Sequence, residues 1–103
     1  GQAIIADPND IYAYNNKGIV QFYLGQEREA LKCFSKVIEL DPFFTVAYFN
    51  RAVIYVKMHK SKEALVDLRK AVEQDPSYKD SIKQDKSFNR LRSMGEYKAI
   101  MEL

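Results

Sequence analysis

Three Asp-Pro dipeptides constrain this chain more than any other feature of its sequence. They are Asp7-Pro8, Asp41-Pro42 and Asp75-Pro76, and each lies 34 residues from the next. A dipeptide that recurs at one fixed spacing indicates a structural repeat. Eight further pairs of identical residues share the same shift: Ala13/Ala47, Tyr14/Tyr48, Asn16/Asn50, Glu29/Glu63, Ala30/Ala64, Leu31/Leu65, Lys36/Lys70 and Glu39/Glu73. The sequence therefore predicts a 34-residue unit that occurs twice.

Each unit has the pattern of two helices separated by a short break. Apolar residues recur every three to four positions, as in Ala30, Phe34 and Val37, which is the period of one helix face. Each Asp-Pro is expected to end the second helix, because the residue before proline leaves helical geometry and proline donates no hydrogen bond. The predicted helices cover about residues 11–24, 28–40, 45–58 and 61–74. Two helices per unit predict an all-α array of αα-hairpins.

The repeated unit resembles the tetratricopeptide repeat (TPR). The first unit carries the resemblance in Ala13-Tyr14-Asn15-Asn16-Lys17-Gly18, Leu24-Gly25, Glu29-Ala30-Leu31, Phe34 and Glu39-Leu40-Asp41-Pro42. The second unit repeats it in Ala47-Tyr48-Phe49-Asn50-Arg51-Ala52, Tyr55, Glu63-Ala64-Leu65, Ala71 and Glu73-Gln74-Asp75-Pro76. The resemblance implies a right-handed superhelical solenoid.

The resemblance also divides the chain, which is expected to form one domain over residues 1–103. Residues 3–8 resemble the end of a preceding repeat, so we expect the native protein to continue upstream. Repeats 1 and 2 are predicted at 9–42 and 43–76, and 77–103 is a degenerate repeat or C-terminal cap. In this tail we expect helices at about 78–84 and 96–103, with a break at Gly95, and the last helix is predicted to seal the array.

The pattern also predicts how the helices pack. Small residues are expected where paired helices approach closely, at Gly18, Ala30, Ala52 and Ala64. Large side chains are expected to fill the remaining space, at Tyr14, Phe34, Tyr48, Tyr55 and Leu68. Phe43 and Phe44 follow the second Asp-Pro, and we expect them to pack between the units rather than against a partner.

The chain shows no pattern typical of catalysis or of metal binding. Its single cysteine, Cys33, and its single histidine, His59, are too few for a zinc site or an internal disulfide. The four glycines form no phosphate-binding loop. We therefore predict that the protein is not an enzyme and needs no cofactor. A lone reduced thiol favours a cytoplasmic location, and the apolar runs are far shorter than the roughly 20 residues of a membrane span.

The remaining candidate for a functional site is a groove, because stacked helical hairpins curve and their first helices line the concave side. By the resemblance, the inward-facing residues are Tyr12, Asn15, Asn16, Ile19, Phe22 and Tyr23, followed by Val46, Phe49, Asn50, Val53, Val56 and Lys57. An asparagine amide both donates and accepts, so Asn16 and Asn50 can pair with the backbone of an extended peptide. The aromatic residues can then supply pockets. The predicted function is a scaffold or adaptor module that binds a protein or peptide partner.

An alternative is a structural or self-association module. Asn16 and Asn50 would then bond within the fold, and the apolar groove would be covered by the chain's own tail or by neighbouring repeats.

We do not expect two other kinds of partner. Nucleic acid could bind only through the basic residues of the tail, but nucleic-acid-binding proteins usually concentrate far more positive charge than a net charge of +2 indicates. That tail contains Lys79, Lys83, Lys86, Arg90 and Arg92 around Phe88, and these basic side chains are expected on the outer side of the cap. TPR cochaperones hold the C-terminal carboxylate of a heat-shock chaperone with Lys, Asn, Asn, Lys and Arg. The corresponding residues here are Asn15, Ile19, Asn50, Asp80 and Gln84. Only Asn50 fits that set, and Asp80 would repel a carboxylate.

Overall fold

The computed structural model describes residues 10–103. Its helices are α1 (Ile11–Tyr23), α2 (Glu27–Leu40), α3 (Thr45–Lys57), α4 (Ser61–Gln74), α5 (Tyr78–Gln84), a 3₁₀ helix (Lys86–Leu91) and α6 (Gly95–Met101). Helix α1 packs on α2, α3 packs on α4, and α2 joins the two pairs through α3. These contacts confirm the predicted all-α solenoid of αα-hairpins. The predicted end of a preceding repeat, at 3–8, lies outside the described residues.

The second and third Asp-Pro dipeptides end α2 and α4 in the same way. The backbone is extended at Asp41 (φ −147°, ψ 93°) and at Asp75 (φ −148°, ψ 99°). Each carboxylate then accepts a hydrogen bond from the backbone N–H two residues later, at 3.0 Å from Phe43 and at 3.0 Å from Ser77. These Asx turns redirect the chain. The predicted helix ends are therefore confirmed.

The turn inside each hairpin also repeats. Gly25 (φ 77°) and His59 (φ 61°) both adopt the left-handed conformation, and they occupy equivalent positions. Glycine adopts this conformation readily, whereas a residue with a Cβ pays roughly 1–2 kcal/mol. The fold imposes the same turn on both units, even where the sequence does not favour it.

The core contains the small and large residues that the pattern predicted. Ala30, Ala52 and Ala64 are fully buried, and so are Phe34 and Leu68. Gly18 and Tyr48 are buried too, while Tyr14 and Tyr55 are half-buried. A hydrogen-bonded glutamine adds to the packing. Gln74, at the end of α4, donates to the Pro42 carbonyl and accepts from the Thr45 hydroxyl, both at 2.7 Å.

The tail closes the open end of the second hairpin, as expected. The 3₁₀ helix packs on α3, and α6 packs on α4. The tail contributes the buried residues Ile82, Phe88, Leu91, Tyr97 and Ile100 to a core cluster shared with α3 and α4.

Two expectations about individual residues were wrong. Phe43 does not pack between the units but is 79% exposed, because the Asx turn at Asp41 directs it to solvent. Phe44, in contrast, is half-buried against Tyr12, with ring centroids 5.7 Å apart. Arg92 was expected on the outer surface. Instead it donates to the Lys83 carbonyl and, at 3.2 Å, to the Tyr97 hydroxyl, and so it holds the tail together.

Candidate functional site

A cavity of about 370 Å³ opens between α1, α3 and the start of the 3₁₀ helix. It is lined by Ile19, Phe22, Tyr23, Phe34, Phe49, Asn50, Val53, Asp85 and Ser87. We call it the apolar groove, because most of its lining is aliphatic or aromatic. Six of the twelve residues predicted to face inward therefore lie together around one opening.

Helical spacing explains how one helix can present several of these side chains. Ile19, Phe22 and Tyr23 are three and four positions apart on α1, so they project from one side of the helix. Phe49 and Val53 have the same relation on α3, with Asn50 beside them. Because α1 and α3 begin successive hairpins, the groove runs across both repeats.

The tail forms one wall of the apolar groove. The Asp85 carboxylate accepts a hydrogen bond from the Ser87 N–H at 2.9 Å and thereby starts the 3₁₀ helix. Phe49 contacts two tail residues, with its ring centroid 5.7 Å from that of Tyr78 and 5.5 Å from that of Phe88. Part of the predicted binding face is therefore used for packing, in the way that the structural alternative anticipated.

The asparagines have separate environments. Asn50 lines the apolar groove, whereas Asn16 is exposed outside it. Among the described residues, neither side chain makes a hydrogen bond. The amide oxygen of Asn15 is buried without a partner there. Tyr12, 66% exposed, lies against Phe44 and away from the groove.

Lys57 lies in an adjoining cavity of about 640 Å³, which we call the basic cavity. Its lining is Glu27, Val56, Lys57, His59, Lys86, Ser87, Asn89 and Arg90. Ser87 lines both cavities, and the Lys57 ammonium lies 5.4 Å from the centroid of the Phe22 ring. The two cavities are therefore adjacent parts of one surface.

The single cysteine and the single histidine do not contact each other: Cys33 bonds to Gln21, and His59 contacts Arg90. Cys33 is 7% exposed, its thiol donates to the Gln21 amide oxygen at 3.2 Å, and burial raises the pKa of that thiol. His59 Nδ1 lies 3.0 Å from Arg90 Nη1. Within residues 10–103 no three His, Cys, Asp or Glu side chains are grouped so that they could hold a metal ion. Over the same residues, no helix combines the length and the apolar character that crossing a bilayer requires.

The sequence reasoning missed three lining residues, Phe34, Asp85 and Ser87. Phe34 was assigned to the core, and it is indeed buried there. It also borders the apolar groove, because a buried residue between two helices can form part of a cavity wall. Asp85 and Ser87 fall where the repeat pattern fails. Their only local signal is the Asp-x-Ser spacing of an Asx turn. Phe88, named with the basic tail as a candidate for nucleic acid, is fully buried and unavailable for stacking on a base.

Comparisons with known proteins agree with this architecture. The family model for the tetratricopeptide repeat matches residues 11–44 and 45–78, which is most of the chain. Among solved structures, the crystal structure of MamA has a TM-score of 0.78 at 16% identity, over 93% of this chain and 57% of that chain. The first TPR of Spaghetti (RPAP3), bound to the HSP90 peptide SRMEEVD, has a TM-score of 0.75 at 28% identity, over 97% of this chain and 80% of that chain. A comparison with curated proteins gives no match.

The MamA likeness concerns the fold alone, and the chain spans little more than half of that structure. The family match is stronger, because it covers both units that the Asp-Pro spacing defines. The chain belongs to the tetratricopeptide repeat family, a fold of protein-interaction modules.

Proposed function

We propose that this chain is a non-enzymatic scaffold or adaptor module that binds an extended segment of a partner protein in the apolar groove. The observation that carries the proposal is the Asn50 amide, which lines a cavity of apolar side chains and has no hydrogen-bond partner among the described residues. A peptide backbone can supply both a donor and an acceptor to such an amide. A cytoplasmic location stays a prediction.

The lining of the groove suits side-chain recognition. Tyr23 is 80% exposed and packs edge-to-face on Phe22, with centroids 5.4 Å apart. Ile19 and Val53 provide aliphatic surface beside them. Extended peptides gain affinity from backbone hydrogen bonds and specificity from such pockets. The peptide bound to the similar TPR of Spaghetti (RPAP3) supports this class of ligand.

The proposal is tested by selecting binders from a displayed library of random twelve-residue peptides. We expect Asn50→Ala to weaken the selected peptides about fivefold, the equivalent of roughly 1 kcal/mol for one hydrogen bond, and to leave the melting temperature unchanged. Val66→Ala, on the exposed side of α4, is the matched control and should alter neither quantity. Failure to select any peptide, or a lower melting temperature for Asn50→Ala, would contradict the proposal.

We also propose that the groove does not recognise a C-terminal carboxylate as chaperone-binding TPR domains do. At the implied clamp positions, the Asn15 amide oxygen is buried, Ile19 is apolar, and Asp80 is an exposed acid. The peptide SRMEEVD should therefore bind no better with a free C terminus than with an amidated one. A preference of tenfold or more for the free carboxylate would contradict this.

One observation favours the second candidate, self-association or packing on a neighbouring domain. The Val20 side chain on helix α1 is 57% exposed, and that of Leu24, the residue that follows the end of this helix, is 66% exposed. Exposed apolar side chains on one helix indicate an interface when they form a patch. Light scattering across a concentration series tests this candidate, since Val20→Ser with Leu24→Ser should abolish any dimer while leaving peptide binding intact.

A further inference from the structure

The basic cavity contains three cations that form no ion pair with any residue the structure describes. Lys57, Lys86 and Arg90 are all exposed, and in the part of the chain from residue 10 onward none of them has a carboxylate within 4.0 Å. Among the described residues, Glu27 is the one acidic residue in the lining. On the second helices of the two hairpins, by contrast, Lys36 and Arg69 pair with carboxylates of their own helices.

These cations come from separate parts of the sequence. Lys57 ends α3, and Lys86 and Arg90 lie on the 3₁₀ helix, which packs on α3. Arg90 is held in place by its contact with His59 Nδ1 at 3.0 Å. Lys57 is held over the face of the Phe22 ring, as cation–π pairs are. Two of the three cations therefore have a contact that positions them beside the apolar groove.

Carboxylates of a partner would be recognised here by charge complementarity. The cations form charge-assisted hydrogen bonds with a carboxylate, and such bonds are stronger than neutral ones. Because Ser87 borders both cavities, one extended segment can place an apolar side chain in the groove and its next acidic residues against the cations.

We propose that the partner segment is acidic: an apolar residue fills the apolar groove, and adjacent Asp or Glu side chains pair with Lys57, Lys86 and Arg90. This inference rests on the proposed function and adds the chemical class of the partner. The site differs from the clamp positions named above, because it recognises side-chain carboxylates within a segment and needs no free C terminus.

The same peptide library provides the test, with every peptide amidated at its C terminus for the follow-up measurements. We expect the selected peptides to be enriched in Asp and Glu next to an apolar residue. Changing those acids to Asn and Gln should weaken binding at least about tenfold at low salt and much less at high salt, because exposed charges are screened.

Matched variants identify the cations. Lys86→Gln with Arg90→Gln should weaken the selected peptides about tenfold and remove their acidic enrichment in a repeated selection. Lys83→Gln with Lys98→Gln removes the same charge from exposed positions outside both cavities and should have little effect. Circular dichroism melting of both variants establishes that each is folded.

The outcomes separate this inference from the proposed function. Selected peptides that depend on Asn50 but lack acidic residues would overturn the acidic segment and leave the groove proposal standing. The absence of any selected peptide would overturn both. Tighter binding of the wild type to a single-stranded oligonucleotide, lost in the Lys86/Arg90 variant, would assign the cations to nucleic acid and overturn the inference.

Discussion

Gly18 shows how closely one residue controls the first hairpin. A Cβ at this position would lie 2.9 Å from two ring carbons of Phe34 and 3.2 Å from the Cβ of Cys33. Phe34 is 1% exposed, so its ring has little room to move. The sequence predicted a small residue at this contact, and the packing shows that even alanine would fit only if the Phe34 ring shifted.

We predict that Gly18→Ala destabilises the fold by about 1–2 kcal/mol, although alanine favours a helix, because the overpacked ring must shift. Gly95→Ala is the matched control. Its Cβ would meet no atom of residues 10–103 within 4 Å, and it should stabilise the fold by about 0.5 kcal/mol. Denaturant unfolding measures both, and a gain in stability for Gly18→Ala would contradict the packing argument.

The buried thiol of Cys33 makes the free energy of unfolding depend on pH, and the direction of its pKa shift gives the sign. Burial raises the pKa of its thiol, so the folded state keeps its proton at a pH where the unfolded state has lost it. Stability from this group is complete below the ordinary thiol pKa and is lost as pH rises toward the folded value. The free energy of unfolding in guanidinium chloride should therefore fall more steeply between pH 8 and 10 in the wild type than in Cys33→Ala. Equal slopes would contradict this.

At the scale of the helices, α3 and α4 are joined by a polar contact. Arg51 donates two hydrogen bonds of 2.7 Å to the carboxylate of Asp67, whose side chain is 2% exposed. Burial raises the pKa of Asp67, and the hydrogen bond from Arg51 opposes that rise. In the first unit the equivalent of Asp67 is Cys33, which bonds to Gln21 instead. The same helix contact is thus made with different chemistry in each unit.

Removing one partner of the Arg51–Asp67 pair should lower the free energy of unfolding more than replacing both partners by apolar residues. We expect Asp67→Ala to lower the free energy of unfolding by about 3 kcal/mol, because it leaves the Arg51 charge poorly solvated. Arg51→Met combined with Asp67→Leu should lose much less, since an apolar pair of similar size can fill the site. A double variant as unstable as the sum of both single variants would show that the two residues act independently.

At the scale of the whole molecule, the tail is part of the core and of the site. Phe88 and Leu91 are fully buried in the cluster that α3 and α4 share with the tail, and the residues before Phe88 line both cavities. An array of repeats ends in an exposed apolar face that must be covered. Here the covering segment also carries Lys86 and Arg90.

Phe88→Ala should therefore destabilise the molecule by about 3–5 kcal/mol, as truncation of a buried aromatic does. Phe43→Ala removes the same side chain from a position that is 79% exposed, and its cost should stay below about 0.5 kcal/mol. Thermal unfolding of the two variants gives the comparison. A small effect of Phe88→Ala would mean that the tail is dispensable for folding.

The amino-acid pattern predicted the repeat, the four long helices and most of the groove lining. These follow from local rules: Asp-Pro ends a helix, a 3.6-residue period selects a face, and the 34-residue shift carries Ile19 of α1 onto Val53 of α3, both of which line the apolar groove. The remaining features depend on tertiary contacts. The repeat pattern ends before Asp85, so no periodicity could place Lys86 and Arg90 beside Lys57. Contacts between segments distant in sequence depend on packing, which is a property of the folded chain and not of any one stretch of it.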